Sequence, residues 1–381
     1  MNKKLIALAI ATAFAAPVAM ADSGNVVIYG RMAVSYDNVS GASTAGADTA
    51  NETRSRVSSN NSYLGFKGSE DLGNGLAAVW QWEQSIAMET QGINEQTSTT
   101  TTSGNQSKRN TFVGLSSKSM GALTFGVQDS PLKVSTKPIV AFGDDTVADF
   151  RTLFTNPASS LRPANSALYT SPDMSGFVGM VMLAAQNEQG NSSWSDPALY
   201  SLSGSYTNGP IFASVAYENV KAVAASNSDT TLKTTRLAFG YDFGAGKAGI
   251  GYEKEANSGQ LVGVAGNADN KAWYLSGQFN ISANDVLKAA YTKRGDVTGA
   301  GAVVGGIGGV AICSSCDAKQ WAIGVDHNMS KRTKLYALYT TVQNGTNAAY
   351  SLGGGATGIH QVLSRTGDST RAVSLGMTST F

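Results

Sequence analysis

The run Leu64-Gly65-Phe66-Lys67-Gly68-Ser69-Glu70-Asp71-Leu72-Gly73-Asn74-Gly75-Leu76 decides the fold. It is strand, turn and strand in one stretch, with the residues a tight turn needs gathered at Glu70-Asp71-Leu72-Gly73-Asn74-Gly75. Equivalent turn signals recur at Ser117-Lys118-Ser119-Met120-Gly121, Pro172-Asp173-Met174-Ser175-Gly176, Thr207-Asn208-Gly209-Pro210, Gly244-Ala245-Gly246, Ser282-Ala283-Asn284-Asp285 and Met329-Ser330-Lys331-Arg332. Each lies between two stretches of alternating pattern, as a hairpin turn should.

Longer segments rich in Ser, Thr, Asn and Gly separate the hairpins, at about 38–61, 86–107, 130–165, 187–197, 220–230, 256–270, 295–317 and 344–368. Short and long connections therefore alternate, the asymmetry of an outer-membrane barrel with short periplasmic turns and long external loops. Seven hairpins supply 14 strands, one more precedes the first long segment and one follows the last, so the expected count is 16. An even number puts both termini on the periplasmic side and lets the barrel close without an exposed edge. A barrel of this size leaves an aqueous channel. The expected fold is an all-β transmembrane antiparallel barrel.

The faces of the strands agree with this. In Arg236-Leu237-Ala238-Phe239-Gly240-Tyr241-Asp242-Phe243, one face carries Leu, Phe, Tyr and Phe, and the other Arg, Ala, Gly and Asp. Ile28, Gly30, Met32, Val34 and Tyr36 alternate with Tyr29, Arg31, Ala33 and Ser35. Trp273, Leu275 and Phe279 alternate with Tyr274, Ser276, Gln278 and Asn280, and Trp321, Ile323 and Val325 with Gln320, Gly324 and Asp326. Successive side chains of a strand point to opposite faces, so lipid meets one set and water the other. Trp80, Trp82, Tyr200, Tyr206, Tyr252, Trp273 and Phe381 lie near strand ends, where interfacial girdles form. A soluble β-sandwich with its apolar face inside would need loops of more even length and a more charged outer face.

Composition points the same way. Charged residues are 14% of the chain, against ~25% in ordinary soluble domains, while the hydrophobic share is an unremarkable 42%. Lys3, Lys4, the apolar Leu5–Ala16 and the small residues of Ala19-Met20-Ala21 read as a cleaved export signal at 1–21, with 22–381 expected to be a single barrel domain. Losing Lys3 and Lys4 takes the 28 basic residues to 26 against 27 acidic ones, a net charge of −1. That balance offers nothing to nucleic acid and no polybasic membrane patch. The best apolar run, Phe177–Ala185, falls well short of the ~20 residues of a membrane-spanning helix.

Other motifs are weaker. Cys313-Ser314-Ser315-Cys316 holds the chain's two cysteines; in an external loop of an exported chain a local disulfide is favoured over a redox pair or half a zinc site. The Gly301–Ile312 stretch before it is glycine-rich and apolar, odd for an exposed loop. His327 and His360 are the two histidines, and neither belongs to a nucleophile, metal or phosphate motif, so no catalysis, metal or cofactor is expected. Thr-rich loops such as Thr97–Ser103 keep a rival open, an adhesin, receptor or substrate-specific channel acting through its loops.

At this point the residues resemble a known family, the trimeric, sixteen-stranded general porins of Gram-negative bacteria. The likeness rests on Val26-Val27-Ile28-Tyr29-Gly30-Arg31, on the 64–76 run, on Phe112-Val113-Gly114-Leu115 and on the terminal Phe381, and it covers the whole mature chain. It implies passive passage of ions and small hydrophilic solutes, a homotrimer set in outer-membrane lipid and lipopolysaccharide, and a C-terminal pattern (Val373, Leu375, Met377, Phe381) read by the barrel-assembly machinery. It also implies that the third long loop folds into the pore, carrying Asp144, Asp145, Asp149 and Arg151, with Lys133, Lys137 and Arg162 nearby, opposite wall cations Arg31, Lys67, Arg109 and Arg236. Opposed charges across a narrow opening orient dipolar solutes and sort ions by sign. Three positions where relatives carry Arg hold Tyr63, Val127 and Leu168 here. An acidic loop with fewer wall cations leaves the sign of ion selectivity open, weak cation preference included.

Overall fold

The structure, a computed structural model, describes residues 25–42, 52–86, 88, 109–155, 159, 162–185, 198–222, 230–256, 266–301, 314–353 and 366–381. The expected leader at 1–21, Thr97–Ser103, residues 302–312 of the glycine-rich stretch, Cys313 and His360 lie outside them. The first half of the described chain forms β1 (Asn25–Ala42), β2 (Glu52–Ser59), β3 (Ser62–Gly73), β4 (Leu76–Ile86), β5 (Thr111–Ser117), β6 (Gly121–Val127), β7 (Ser166–Thr170), β8 (Phe177–Ala184) and β9 (Leu199–Asn208). The second half forms β10 (Ile211–Ala222), β11 (Thr230–Asp242), β12 (Gly246–Ala256), β13 (Gly266–Asn280), β14 (Asp285–Arg294), β15 (Thr298–Gly301), β16 (Ala318–Asn328), β17 (Thr333–Asn344) and β18 (Ser369–Thr380).

These eighteen segments make sixteen staves. β2 and β3 pair with the same strand, β1, at Val34↔Ser59 and Arg31↔Tyr63. They are one stave broken at Asn60-Asn61, where Asn61 takes a φ of 55°. β15 likewise extends β14, since both pair with β13. β1 pairs antiparallel with β18 from Arg31↔Thr380 to Ser40↔Arg371, which closes the barrel. Among the described residues no helix is long and apolar enough to cross a membrane.

Three of the short turns share one device. The amide of Gly73 donates to Asp71 Oδ1 at 2.8 Å, Gly176 to Asp173 Oδ1 at 2.5 Å and Gly244 to Asp242 Oδ1 at 2.8 Å. An aspartate that caps its own turn leaves a following residue in the left-handed region. The three glycines sit there, at φ 82°, 95° and 85°. At the other end the strands run further than polarity alone indicates: β1 reaches Ala42, β2 begins at Glu52 and β13 at Gly266. Ladder hydrogen bonds satisfy the backbone whatever the side chains are, so pairing outlasts the apolar alternation.

The expected faces are the observed ones. Leu237, Phe239, Tyr241, Trp273, Leu275, Phe279, Trp321, Ile323, Val373, Leu375 and Met377 are exposed on the outside, while Arg236, Ala238, Tyr274 and Gln320 are buried inside. Exposed apolar surface on this scale is stable only against lipid or protein. Rings pair across strands in the outer girdle, Tyr252 with Trp273 at 4.6 Å and Tyr291 with Trp321 at 4.3 Å between centroids.

Candidate functional site: a charged constriction inside the barrel

The segment between β6 and β7 does not leave the barrel. It carries α1 (Pro131–Val134), a 3-10 turn (Lys137–Ile139) and α2 (Arg151–Phe154). Ser130 caps α1 by accepting from the Lys133 amide at 3.3 Å, and Pro131 takes the first helical position, where its missing N–H costs nothing. The loop buries Phe142, Val147 and Leu153 against Tyr336, Leu338 and Val342 of the inner wall. Ile139, Phe150 and Phe154 bury against Phe212, Ala238 and Tyr274.

A recess on the wall receives the loop. A β-carbon at Gly249 would lie 2.6 Å from Ile139 Cβ, one at Gly240 3.0 Å from Ile139 Cγ2 and one at Gly251 3.0 Å from Phe154 Cζ. Wall side chains then hold loop backbone: Tyr274 Oη accepts from the Ala141 amide at 2.9 Å, and Ser276 Oγ and Gln278 Nε2 donate to the carbonyls of Ile139 and Val140. Ser214 Oγ donates to the Ser135 carbonyl at 2.7 Å. Six apolar side chains at ~1.5–3 kcal/mol each outweigh four neutral hydrogen bonds at ~0.5–1.5 kcal/mol each. Burial therefore holds the loop down, and the hydrogen bonds set where it stops.

The predicted charges fall in different places. Arg31 meets the loop: its Nη2 lies 3.3 Å from Asp144 Oδ1, and Asn61 Nδ2 donates to the other oxygen at 2.5 Å. Arg151 clamps Asp149 at 2.6 Å and reaches Asp144 at 3.8 Å. Arg109, just before β5, lies over the Tyr63 ring at 4.1 Å, donates to Glu83 Oε2 at 3.1 Å and also bonds Asn61. Lys67 stands over the Tyr29 ring at 5.2 Å, whose hydroxyl donates to Glu83. Asp145 pairs with Lys334 at 3.4 Å. Arg236 also faces inward, but it lies beneath the loop, paired with Glu253 and donating to the Leu132 carbonyl and Thr155 Oγ1, both at 2.8 Å. The open channel does not touch it, since it is 2% exposed. Cys316 is disulfide-bonded, and its backbone amide donates to Asp296.

Residues not singled out from the sequence complete the constriction. Lys288 and Lys334 share Asp326, each at 3.2 Å. Asp129, at the loop's root, holds Lys133, Arg162 and Lys137 at 3.0, 2.9 and 3.5 Å. Under the loop Arg294 pairs with Glu255 at 2.5 Å and donates to the Leu153 carbonyl. The signal for Lys288, Asp326 and Lys334 was strand parity: each falls on the inward alternation of its strand. Asp129 had no such signal, because it sits outside any strand.

The loop carboxyls are held ionised. Burial alone raises the Asp144 carboxyl, but Arg151 and then Arg31 outweigh it and hold it well below the usual carboxylate range. Burial likewise raises Asp129, and Lys133, Arg162 and Lys137 together take it well below. Burial lowers the Lys133 ammonium against the pull of Asp129.

A closed barrel of sixteen staves, apolar outside and narrowed within by a charged inserted loop, is a water-filled channel of the outer membrane. The chain belongs to the Gram-negative porin family, whose family model matches residues 7–377, and it is a diffusion channel of that membrane. It is 30% identical over 316 residues to the major outer membrane protein P.IB of Neisseria gonorrhoeae, covering 78% of this chain and 80% of that one. It is 28% identical over 276 residues to an outer membrane porin protein of Bordetella pertussis, covering 67% and 69%. Among solved structures it superposes on the anion-selective porin of Comamonas acidovorans with a TM-score of 0.71 at 22% identity, covering 94% of this chain and 100% of that one. Salmonella typhi OmpF superposes at 0.60 and 16% identity, covering 94% and 98%.

Proposed function

We propose that the channel is a homotrimeric general porin with a modest preference for anions, and that it catalyses no reaction. The carrying observation is the charge balance at the constriction. Arg31, Lys67, Arg109, Lys133, Lys137, Arg151, Arg162, Lys288 and Lys334 gather there against Glu83, Asp129, Asp144, Asp145, Asp149 and Asp326. Nine cations against six carboxylates leave the described constriction positive, although the whole mature chain is not. Low-dielectric walls focus that excess onto permeating ions. In this reading Arg31, Arg109 and Lys67 are wall groups of the pore, Asp144, Asp145, Asp149 and Arg151 its loop groups, and Arg236 a positioning group beneath them. Ser282 Oγ donates to Asp285 Oδ2 and His327 Nδ1 pairs with Asp285 Oδ1, so the hydroxyl's partner is the carboxylate and not the imidazole a general base would need. Lipopolysaccharide around the barrel and the assembly machinery at Phe381 complete the set of partners.

The test is single-channel conductance of the mature protein in a planar bilayer under a salt gradient. Steps in groups of three with an anion-favouring reversal potential support the reading. A cation-favouring potential rejects the selectivity, and single independent steps reject the trimer.

A further inference from the structure

The loop does not fill the recess that receives it. On the short-turn side of Ile139 a cavity of about 120 Å3 remains between loop and wall. Pro138 and Ile139 roof it, Phe212 on β10 and Ser276 on β13 stand at its sides, and Gly240 on β11 lies in its floor. That floor is bare backbone, because the neighbouring Tyr241 and Ala248 turn their side chains to the outside of the barrel, where both are exposed. The Ser276 hydroxyl already donates to the Ile139 carbonyl. The interior of the cavity is therefore apolar.

Its mouth is not. Beside the turn at Gly244, Asp242 on β11 and Lys247 on β12 line the opening and face one another in register. Opposite charges so placed ordinarily attract, yet among the described residues neither has an ion-pair partner. Asp242 Oδ1 accepts from the Gly244 amide at 2.8 Å and fixes the turn, while Oδ2 and the Lys247 ammonium have no such bond. Elsewhere in the lumen opposite charges do close, Arg31 on Asp144 at 3.3 Å, Arg109 on Glu83 at 3.1 Å and Lys334 on Asp145 at 3.4 Å. A cation and an anion held apart, side by side, at the mouth of an apolar pocket match a solute that carries both charges on one carbon and an apolar group beside them. Its carboxylate meets Lys247, its ammonium meets Asp242, and its side chain enters between Phe212 and Ile139. An apolar cavity of ~150 Å3 takes a benzene ring, so this smaller one suits a branched aliphatic chain.

We propose that this pocket is a binding subsite for branched aliphatic α-amino acids, on the periplasmic side of the inserted loop. It rests on the water-filled lumen, and on neither the trimer nor the ion selectivity. The probe is L-leucine, titrated against the mature full-length barrel in detergent micelles and followed by saturation-transfer NMR of its methyl groups, with empty micelles as the blank. Glycine, isocaproate and isopentylamine are then measured by competition. Leucine binding should saturate and be about tenfold or more tighter than that of glycine, which lacks the side chain. Isocaproate and isopentylamine keep the side chain and one charge each, and each should bind about tenfold more weakly than leucine. Lys247→Gln should weaken leucine by a similar factor, and Lys247→Arg should restore it. If Lys247→Gln does not refold, Asp242→Asn, which keeps an acceptor for the turn, carries the same test through the ammonium. Absence of saturable binding, isocaproate matching leucine, or undiminished binding in the variant overturns the proposal. A barrel that conducts but fails these tests sinks the subsite alone, whereas one that conducts nothing overturns the channel reading, so the two failures are distinct.

Discussion

Gly30 and Phe381 exchange both of their backbone hydrogen bonds: the Gly30 amide donates to the Phe381 carbonyl at 3.1 Å, and the Phe381 amide to the Gly30 carbonyl at 3.2 Å. The Phe381 ring lies where a side chain on Gly30 would be, with Cζ 2.5 Å from the position of a β-carbon and the Tyr63 carbonyl oxygen 2.7 Å from it. The last residue of the chain thus closes the seam onto the first strand, and Gly30 makes room for it.

Replacing Gly30 with Val should therefore loosen the seam at a cost of about 1–3 kcal/mol, the range for overpacking a filled site. The folded barrel should shift to its unfolded gel mobility at a lower temperature. Gly277→Val is the control, because nothing lies within 4 Å of a β-carbon there, and its transition should stay in place.

Gly249→Val acts on the loop instead. The new side chain collides with Ile139 Cβ and with Ser276 Oγ, 2.6 and 2.9 Å from its β-carbon. Displacing Ile139 releases the loop from its recess while every strand pairing remains. The expected record is a larger, noisier single-channel conductance from a barrel of normal heat stability. Unaltered conductance would show that the recess does not seat the loop.

Arg236→Ala leaves Glu253 buried opposite no cation and takes donors from Leu132 and Thr155. Removing one partner of a buried pair costs ~3–5 kcal/mol. Because both loop contacts go with it, protease cleavage between Gln128 and Thr155 should rise sharply, with the rest of the barrel resistant. The ion selectivity should change less than in Arg31→Gln, whose side chain meets the loop at Asp144.

The loop carboxyls set the acid response. Asp144 and Asp129 have folded values below the ordinary one. Their contribution to holding the loop is fully present above the ordinary carboxylate pKa of ~4 and is lost only as pH falls through the lower, folded values. Reversal potential and conductance noise should thus stay constant from neutral pH to about 4 as far as these groups are concerned. A change setting in near pH 5 that Asp144→Asn abolishes would contradict the assignment.

How far the molecule was legible from its sequence follows the range of each interaction. Turns such as Asp71-Leu72-Gly73 and the alternation in Arg236–Phe243 depend on neighbours a few residues apart, so the staves, their faces and their number of sixteen could be read directly. Parity alone also indicates that Arg31, Lys288, Asp326 and Lys334 turn inward. What parity cannot show is which charges meet. Arg31 finds Asp144 113 residues away, and Arg236 disappears beneath Leu132, 104 residues away.

A membrane barrel follows from local sequence alone, through a period of two that the strands repeat and a turn chemistry that each hairpin carries within itself. It took the folded chain to place Ile139 in the recess at Gly240 and Gly249, to cover Arg236 while Arg31 meets the loop, and to set Lys254 opposite Lys271. Those outcomes depend on strand register and on loop docking across the lumen. Register and docking are set by burial and hydrogen bonding summed around the closed barrel, which no short stretch of chain contains.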